Sequence, residues 1–447
     1  MPFFSILMPT RNRASLLRSA LQTAVSQEFA DYEIVVSDNN SQDETREVVE
    51  GFMRDSDRVR YVNPGRDLSM CDNFEYVLSH AAGEYVLYLS DDDALAANAL
   101  TYAHETLSRF SINTLVWERG YYQHADIPDD NLRCTFFCER RSGNLYEVKA
   151  RTVADAFSNF DTRTYGILPK MLNCAVASSV LRRCKEKTGY FFLPPFPDYS
   201  AACHLLGIDD SYHLLDLPLY ICGVSRISNA GIQYDRKQKF ENYISLFGRD
   251  LIEGVPYPMR YLNAPYFLAT YRKFQQIYPE TFTSPPNMDA YLKSLFTELM
   301  SFEAYEDISE ELQTLAGYMR DYYGGDEAFD ALLKEHRDSK PKPAAAGPDK
   351  AAESLGASLR RTAGNIVRSN DLLYGLARRA RRTLRPAPAP QAPTDDYSTD
   401  RHISRVNVQT IFDASQILGG VLSSEAKSPA RLSPIAVESL SRIEGWA

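Results

Sequence analysis

Gly83-Glu84-Tyr85-Val86-Leu87-Tyr88-Leu89-Ser90-Asp91-Asp92-Asp93 is the stretch that decides how this chain is read. Tyr85 to Leu89 is an uncharged apolar and aromatic run of strand length, which predicts a central strand covered on both faces. Three carboxylates follow it directly. On an extended chain Asp91 and Asp93 point one way and Asp92 the other, and anions packed this closely repel unless a cation lies among them. Hard Mg²⁺ or Mn²⁺ suits such a group, because it prefers oxygen ligands and needs few from the protein when a diphosphate supplies the others. A simpler use is an acidic N-cap for a helix beginning near Ala94. A cap needs one Asp only, and the carboxyl end of a buried strand is where open α/β sheets bind ligands. The expectation is therefore a metal site.

Upstream, strand and helix alternate. Phe3 to Met8 reads as a strand, Pro9 to Arg13 as a polar turn, and Leu16, Leu17, Ala20, Leu21 and Ala24 lie at helical spacing. Tyr32 to Ser37 is a second strand, followed by the loop Asp38 to Glu44 and a helix carrying Val48, Val49 and Phe52. Val59 to Val62 is a third strand, Asn63-Pro64-Gly65 a turn, and Ser69 to Ala82 a helix. This order predicts right-handed βαβ units and a parallel sheet. Neither GxGxxG nor GxxxxGK[ST] occurs at these turns, so the dinucleotide and P-loop signatures are absent.

The 447 residues suggest two or three domains. Seven scattered cysteines without a CxxC pair read as reduced thiols of a cytosolic protein. Met1 to Pro9 lacks the basic and apolar regions of a secretion signal, and no apolar run approaches the roughly 20 residues that span a bilayer. The chain is expected to be neither secreted nor transmembrane. A net charge of -10 argues against nucleic acid as a partner.

Ser5 to Arg13, then Glu33 to Asp43, then Gly83 to Asp93 together resemble family 2 glycosyltransferases of the GT-A fold, over roughly the first half of the chain. The fold class this implies is α/β: a mixed, mostly parallel sheet flanked by helices, with a C-terminal helical subdomain and tail. It also implies an inverting, metal-dependent hexosyl transfer from a nucleotide-diphosphate sugar. Carried over by position, Pro9, Thr10 and Arg11 line the nucleoside pocket, Arg13 stands beside them, and Asp38 bonds the base. Asp91 lies near the ribose, and Asp92 or Asp93 holds Mn²⁺ or Mg²⁺, with Asp92 favoured. Arg66, Asp72 and Asn73 border the donor phosphates or sugar. Arg11 departs from the aromatic residue common in the family, although a guanidinium also stacks. Taken singly, Asp38 reads equally as a cap for the helix near Asp43, and Arg11 and Arg13 as surface charges.

Beyond the triple Asp the sequence predicts a helix from Ala94 to Phe110, a strand at Thr114 to Trp117, an irregular insertion from Gly120 to Asn144 and a strand at Asn173 to Ser178. Tyr190 to Tyr199 carries three prolines, and Asp198 stands immediately before a helical pattern, Tyr199 to Leu206. Asp198 reads either as an N-cap or as the general base that takes the acceptor hydroxyl's proton, which the resemblance places about one hundred residues after the metal motif. Asp209 and Asp210 are weaker alternatives. Leu214 to Gly223 is a late strand, and Arg226 is the cation left to meet the diphosphate where the family often has His or Arg.

The domain reading is a catalytic domain at 1–233, a helical subdomain at 234–338, a linker at 339–350, a basic amphipathic segment at 351–385 and a linker and tail at 386–447. From Leu355 to Arg385 there are eight arginines against Asp371 alone, with an intermittent apolar face. This suits an anionic membrane surface, a homo-oligomer contact or a solvated arm. The expected protein is a cytoplasmic, membrane-peripheral sugar transferase acting on a glycan or lipid-linked saccharide, with UDP-sugars favoured because Asp38 suits uracil. A sugar-phosphate nucleotidyltransferase is the competing enzyme class, but it wants a glycine-rich loop after the first strand, and Pro9 to Arg13 has no glycine. A non-catalytic scaffold on this fold is the third reading.

Overall fold

The computed structural model of the chain describes residues 1–127, 129–138, 143–227, 236–245, 247, 250–303, 306–339, 406–425 and 434–437. The proline- and alanine-rich linker and the basic stretch 355–385 lie outside them. The first elements are β1 (Phe4–Thr10), α1 (Ala14–Val25), β2 (Tyr32–Asp38), α2 (Thr45–Asp55), β3 (Val59–Val62), α3 (Met70–Leu78) and β4 (Tyr85–Tyr88). After the triple Asp come β5 (Ala94–Leu95), α4 (Ala99–Phe110), β6 (Thr114–Gln123), β7 (Thr135–Phe137), β8 (Leu145–Lys149), α5 (Ala150–Ser158) and β9 (Cys174–Ala177). Next are α6 (Ser178–Thr188), α7 (Pro197–Ile208) and β10 (Ser211–Val224), and then the helices α8 (Arg236–Ser245), α9 (Ala264–Ile277), α10 (Met288–Met300), α11 (Ser309–Tyr323) and α12 (Glu327–Ser339).

One sheet organises the chain, in the order β8-β10-β6-β9-β4-β1-β2-β3. The run β4-β1-β2-β3 is parallel throughout. It carries the alternation of strand and helix that the sequence predicts, and Phe4, Ile6, Leu7, Ile34, Val35, Val36 and Leu87 are all buried because helices cover both faces. Strand β9 turns the sheet by pairing antiparallel with both β4 and β6, and β10 then runs parallel to β6. The fold is α/β, with a mixed sheet flanked by helices.

Three expectations are corrected. The chain after Asp93 is not helical at once: Ala94 and Leu95 pair antiparallel with Ile221 and Tyr220, and the helix begins at Ala99 behind Asn98. Strand β6 does not stop at Trp117 but runs to Gln123, because Gly120 lets the Phe136 ring pack where a Cβ would lie 2.7 Å from it. The third helix is Met70–Leu78, capped by Ser69, rather than one reaching Ala82.

A second apolar cluster, including Phe240, Tyr266, Leu292, Leu295, Leu315 and Met319, joins α8 to α12, and α9 packs on α5 and α7. Within 386–447, β11 (Val406–Asn407) pairs with β7, α13 (Ile411–Glu425) lies against α1, β5 and β10, and β12 (Pro434–Val437) pairs with β8. No helix among the described residues is long and apolar enough to cross a membrane.

Candidate functional site

The carboxyl ends of β2, β1 and β4 lie side by side, with Thr10 in register with Asp38. Three sequence-predicted residues meet there. Thr10 Oγ1 donates to Asp91 Oδ2 at 2.8 Å, and Arg13 Nη1 donates to Asp91 Oδ1 at 2.9 Å. Arg13 also reaches the Ile227 carbonyl at 2.9 Å, so it ties the loop after β10 to the loop after β1. Asp38 accepts from Tyr61 OH at 2.6 Å and from the Ser41 amide at 2.9 Å. It therefore does not cap α2. The N-cap position of α2 is held by Glu44 without a side-chain bond, and Asp43 before it accepts from the first amides of α1 and α2, those of Ala14 and Thr45.

The remaining predicted donor-side residues ring this floor. Pro9 lies opposite Ser37, and Asn73 is buried where it accepts from Ser37 Oγ at 2.7 Å, holding α3 against the end of β2. Arg11 pairs with the exposed Asp67, which also takes Asn40 Nδ2 at 2.7 Å, so its guanidinium forms part of the rim. Arg226 is exposed beyond β10, with its amide donating to Asp126 at 3.0 Å.

The three consecutive aspartates separate sharply. Asp91 is taken by Thr10 and Arg13. Asp93 has both oxygens engaged by β10, from Tyr220 OH at 2.5 Å and from the Gly223 amide at 2.6 Å. It was expected as a metal ligand beside Asp92, yet its side chain is turned into the sheet. Asp92 alone keeps a carboxylate to which, among the described residues, no other residue donates. Its carbonyl lies 2.9 Å from His124 Nε2, so that nitrogen carries a hydrogen. Gly223 is required beside it, since a Cβ there would sit 1.7 Å from the Asp92 carbonyl. Among the described residues no three His, Cys, Asp or Glu side chains form a complete metal cage.

Burial pushes the Asp92 carboxyl well above the ordinary range, the neighbouring Asp93 charge adds to the rise, and Arg13 opposes it. Burial likewise lifts Asp93 to about 6, against the hydrogen bonds from Tyr220 and Gly223. The sign of the consequence follows from linkage. Between the ordinary value of 3.8 and about 6, the folded chain binds more protons here than the unfolded chain, so stability falls as pH rises through this window. Unfolding midpoints of the metal-free chain should be higher at about pH 5 than at about pH 7.5. Denaturant unfolding across that range checks this, and a midpoint that climbs with pH would mean that both groups are ionised in the fold throughout.

Asp198 lies on α7, which packs on α3, α5, α6 and α9. It is not the N-cap, a position held by Phe196, but the second residue of α7 after Pro197. Burial raises its carboxyl above the ordinary range, and Lys170 and then Arg119 pull it back. Arg119 on β6 also lowers Asp93, as the smallest of the named influences on it. Lys170, buried before β9, donates to Tyr199 OH at 3.2 Å and stands over that ring. Asp209 is engaged elsewhere: it pairs with Arg183 at 2.7 Å at the far end of α7, about 16 Å away along the axis at 1.5 Å per residue. Asp210 stands beside it, with its carbonyl accepting from Ala150.

Sequence reasoning missed Tyr61, Arg119, His124, Lys170, Tyr220 and Gly223. The strand containing Tyr220 and Gly223 was legible, but its contact with Asp93 is not local. His124 was hidden because β6 was expected to end early.

Residues 5–124 match the family model described as glycosyl transferase family 2. The GalNAc(5)-diNAcBac-PP-undecaprenol beta-1,3-glucosyltransferase of Campylobacter jejuni is 41% identical over 102 residues, 23% of this chain and 33% of that protein. The PGL/p-HBAD biosynthesis glycosyltransferase of Mycobacterium tuberculosis is 31% identical over 108 residues, 24% of this chain and 40% of that one. The chain spans between about a third and about half of the length of the first curated relatives it matches. Among solved structures, S. aureus TarS 1-349 in complex with UDP-GlcNAc aligns with a TM-score of 0.43 at 15% identity, covering 72% of this chain and 92% of that one.

Proposed function

We propose that this chain, which carries a family 2 glycosyltransferase domain in residues 5–124, transfers a hexosyl group from a nucleotide-diphosphate sugar to a hydroxyl of a glycan or lipid-linked saccharide, with inversion. A lipid-linked saccharide is what the name of the Campylobacter jejuni relative gives for that protein. One observation carries the reading. Of three carboxylates at the mouth of the sheet, two are held by protein donors and the third, Asp92, is buried among them with its oxygens left to a ligand from outside.

A hard divalent cation fits that position, because it would relieve the repulsion among the aspartates and needs only one or two protein oxygens when phosphates supply the rest. Asp92 would hold Mn²⁺ or Mg²⁺, and the bound ion would offset charge growing on the leaving diphosphate. The other steps belong to the chain. Asp38 and Tyr61 meet the base, and each Asp38 oxygen keeps a second lone pair that can accept the imide N–H of uracil, which favours UDP. Thr10 and Arg13 fix Asp91 at the sugar edge of the nucleoside. Asp198 takes the proton of the acceptor hydroxyl as its oxygen bonds to the anomeric carbon and the bond to the diphosphate breaks on the opposite face. Lys170 and Arg119 oppose the rise that burial imposes on that carboxyl.

Thermal unfolding with a panel of nucleotide sugars, with and without Mn²⁺, tests the reading, since a ligand that binds only the folded state raises its stability by about 2.7 kcal/mol at a hundredfold excess over Kd. Stabilisation by at least one nucleotide sugar that depends on Mn²⁺ is the expected result. A panel with no metal-dependent member would overturn it.

A further inference from the structure

The segment after Asp93 is held by α1, where Thr23 Oγ1 accepts from the Leu95 amide at 3.3 Å and Gln27 Nε2, just past the helix, donates to the Ala96 carbonyl at 2.9 Å; of its two remaining sides, one is the sheet. On that side β10 binds Asp93, pairs with Ala94 and Leu95, and takes the Ala96 amide on the Leu219 carbonyl at 3.0 Å. On the other lies α13, brought back from beyond residues 340–405. Buried Ser415 donates to the Leu95 carbonyl at 2.6 Å. Asn98 Nδ2 donates to Ser423 Oγ at 2.8 Å and to the Gly419 carbonyl at 3.2 Å, and Tyr102 OH reaches the Leu422 carbonyl at 3.1 Å. Gly419 lies so close that an added Cβ would sit 2.7 Å from the Ala97 Cβ. The apolar stripe Ile411, Ala414, Leu418 and Leu422 is buried in the main core.

Asn98 is the telling residue. It occupies the N-cap position of α4, where Asn is among the preferred types, yet it makes no side-chain cap hydrogen bond. Its amide is committed to α13 instead. Among these anchors, the Leu95 carbonyl and the Asn98 side chain are the groups that take their partners from α13.

We infer that residues 406–425 are a positioning element of the donor site: α13 fixes Leu95 to Asn98 and thereby the direction in which Asp92 meets the cation and the diphosphate. The inference rests on the reading of Asp92 given above. Gly419 and Ser415 are its positioning residues, acting through Ala97 and Leu95.

The test uses the full chain. Gly419→Leu should raise the donor KM and the Mn²⁺ concentration for half-maximal rate by about tenfold or more, as sub-ångström misplacement of a ligating group does. Overpacking should also lower the unfolding midpoint, so the constants are read at a temperature where the variant is fully folded. Gly419→Ala should show the same defect more weakly, and Ala97→Gly in the same chain should restore it by removing the atom that clashes. Kinetic constants within about twofold of wild type for Gly419→Leu would overturn the inference, as would a loss that merely follows the fraction unfolded. If the wild-type chain itself shows no metal-dependent donor binding, the reading of Asp92 fails and this inference with it; unchanged variants beside a metal-dependent wild type refute the inference alone.

Discussion

Asp198→Asn should lower kcat by about 10² to 10⁴ while donor and metal affinities stay as they are, because this is the usual worth of general-base catalysis. The amide has nearly the carboxylate's shape and still accepts a hydrogen bond from the acceptor hydroxyl, but it cannot take the proton. A structural role predicts something else. Asp198 sits in the first turn of α7 behind an N-cap position occupied by Phe196, so its structural worth lies in the helix dipole and in its attraction to Lys170 and Arg119. Neutralising it also removes a charge that burial disfavours. A purely structural Asp198 would therefore tolerate the change with normal turnover and a small shift in unfolding midpoint. Steady-state kinetics with saturating donor separate the two, and the acceptor KM should move little. Turnover within a few-fold of wild type would remove Asp198 from the mechanism. Asp209 could not then take its place without a large rearrangement, since it is paired with Arg183 at the opposite end of the helix.

What the sequence disclosed and what it withheld divide along the range of the interactions. Tyr85 to Leu89 announced a buried strand because an uncharged run has only one stable use beside a charged loop, and the carboxylates after it were bound to stand at the sheet's mouth. The division of labour among them was not legible. It depends on Tyr220 and Gly223, more than a hundred residues away, which claim Asp93 and leave Asp92 open. The same contact explains the helix expected from Ala94. The run Ala94-Leu95-Ala96-Ala97 has strong helical propensity, but tertiary pairing with β10 overrides it, and the helix waits until Ala99. Asp198 was placed in the right segment yet two residues from its cap, because Pro197 starts the helix and its missing N–H costs nothing there. In α13 the buried stripe at Ile411, Ala414, Leu418 and Leu422 has helical spacing that the sequence displays, but the surface it covers is set by Ala97 and Asn98.

Asp92→Asn should make the chain more stable and far less active, and the two effects have one cause. In the metal-free fold Asp92 is a buried carboxylate beside Asp91 and Asp93, with its proton affinity raised by burial and by its neighbours. Replacing it with a neutral isostere removes that repulsion, so the variant should unfold at a higher midpoint than wild type. The gain should be larger at about pH 7.5 than at about pH 5, where protonation has already relieved the wild-type chain. Added Mn²⁺ should reverse the order, raising the wild-type midpoint and leaving the variant unmoved. Activity should fall by at least about 10², since stabilising the charge on a departing diphosphate is worth several kcal/mol. Asp93→Asn supplies the contrast. An amide there can keep the Gly223 N–H on its oxygen and turn its own N–H to the Tyr220 oxygen, so this variant should keep the wild-type response to Mn²⁺. If Asp93→Asn is blind to Mn²⁺ and Asp92→Asn responds as wild type does, the cation belongs at Asp93. If Asp92→Asn keeps the wild-type response to Mn²⁺, the metal assignment fails.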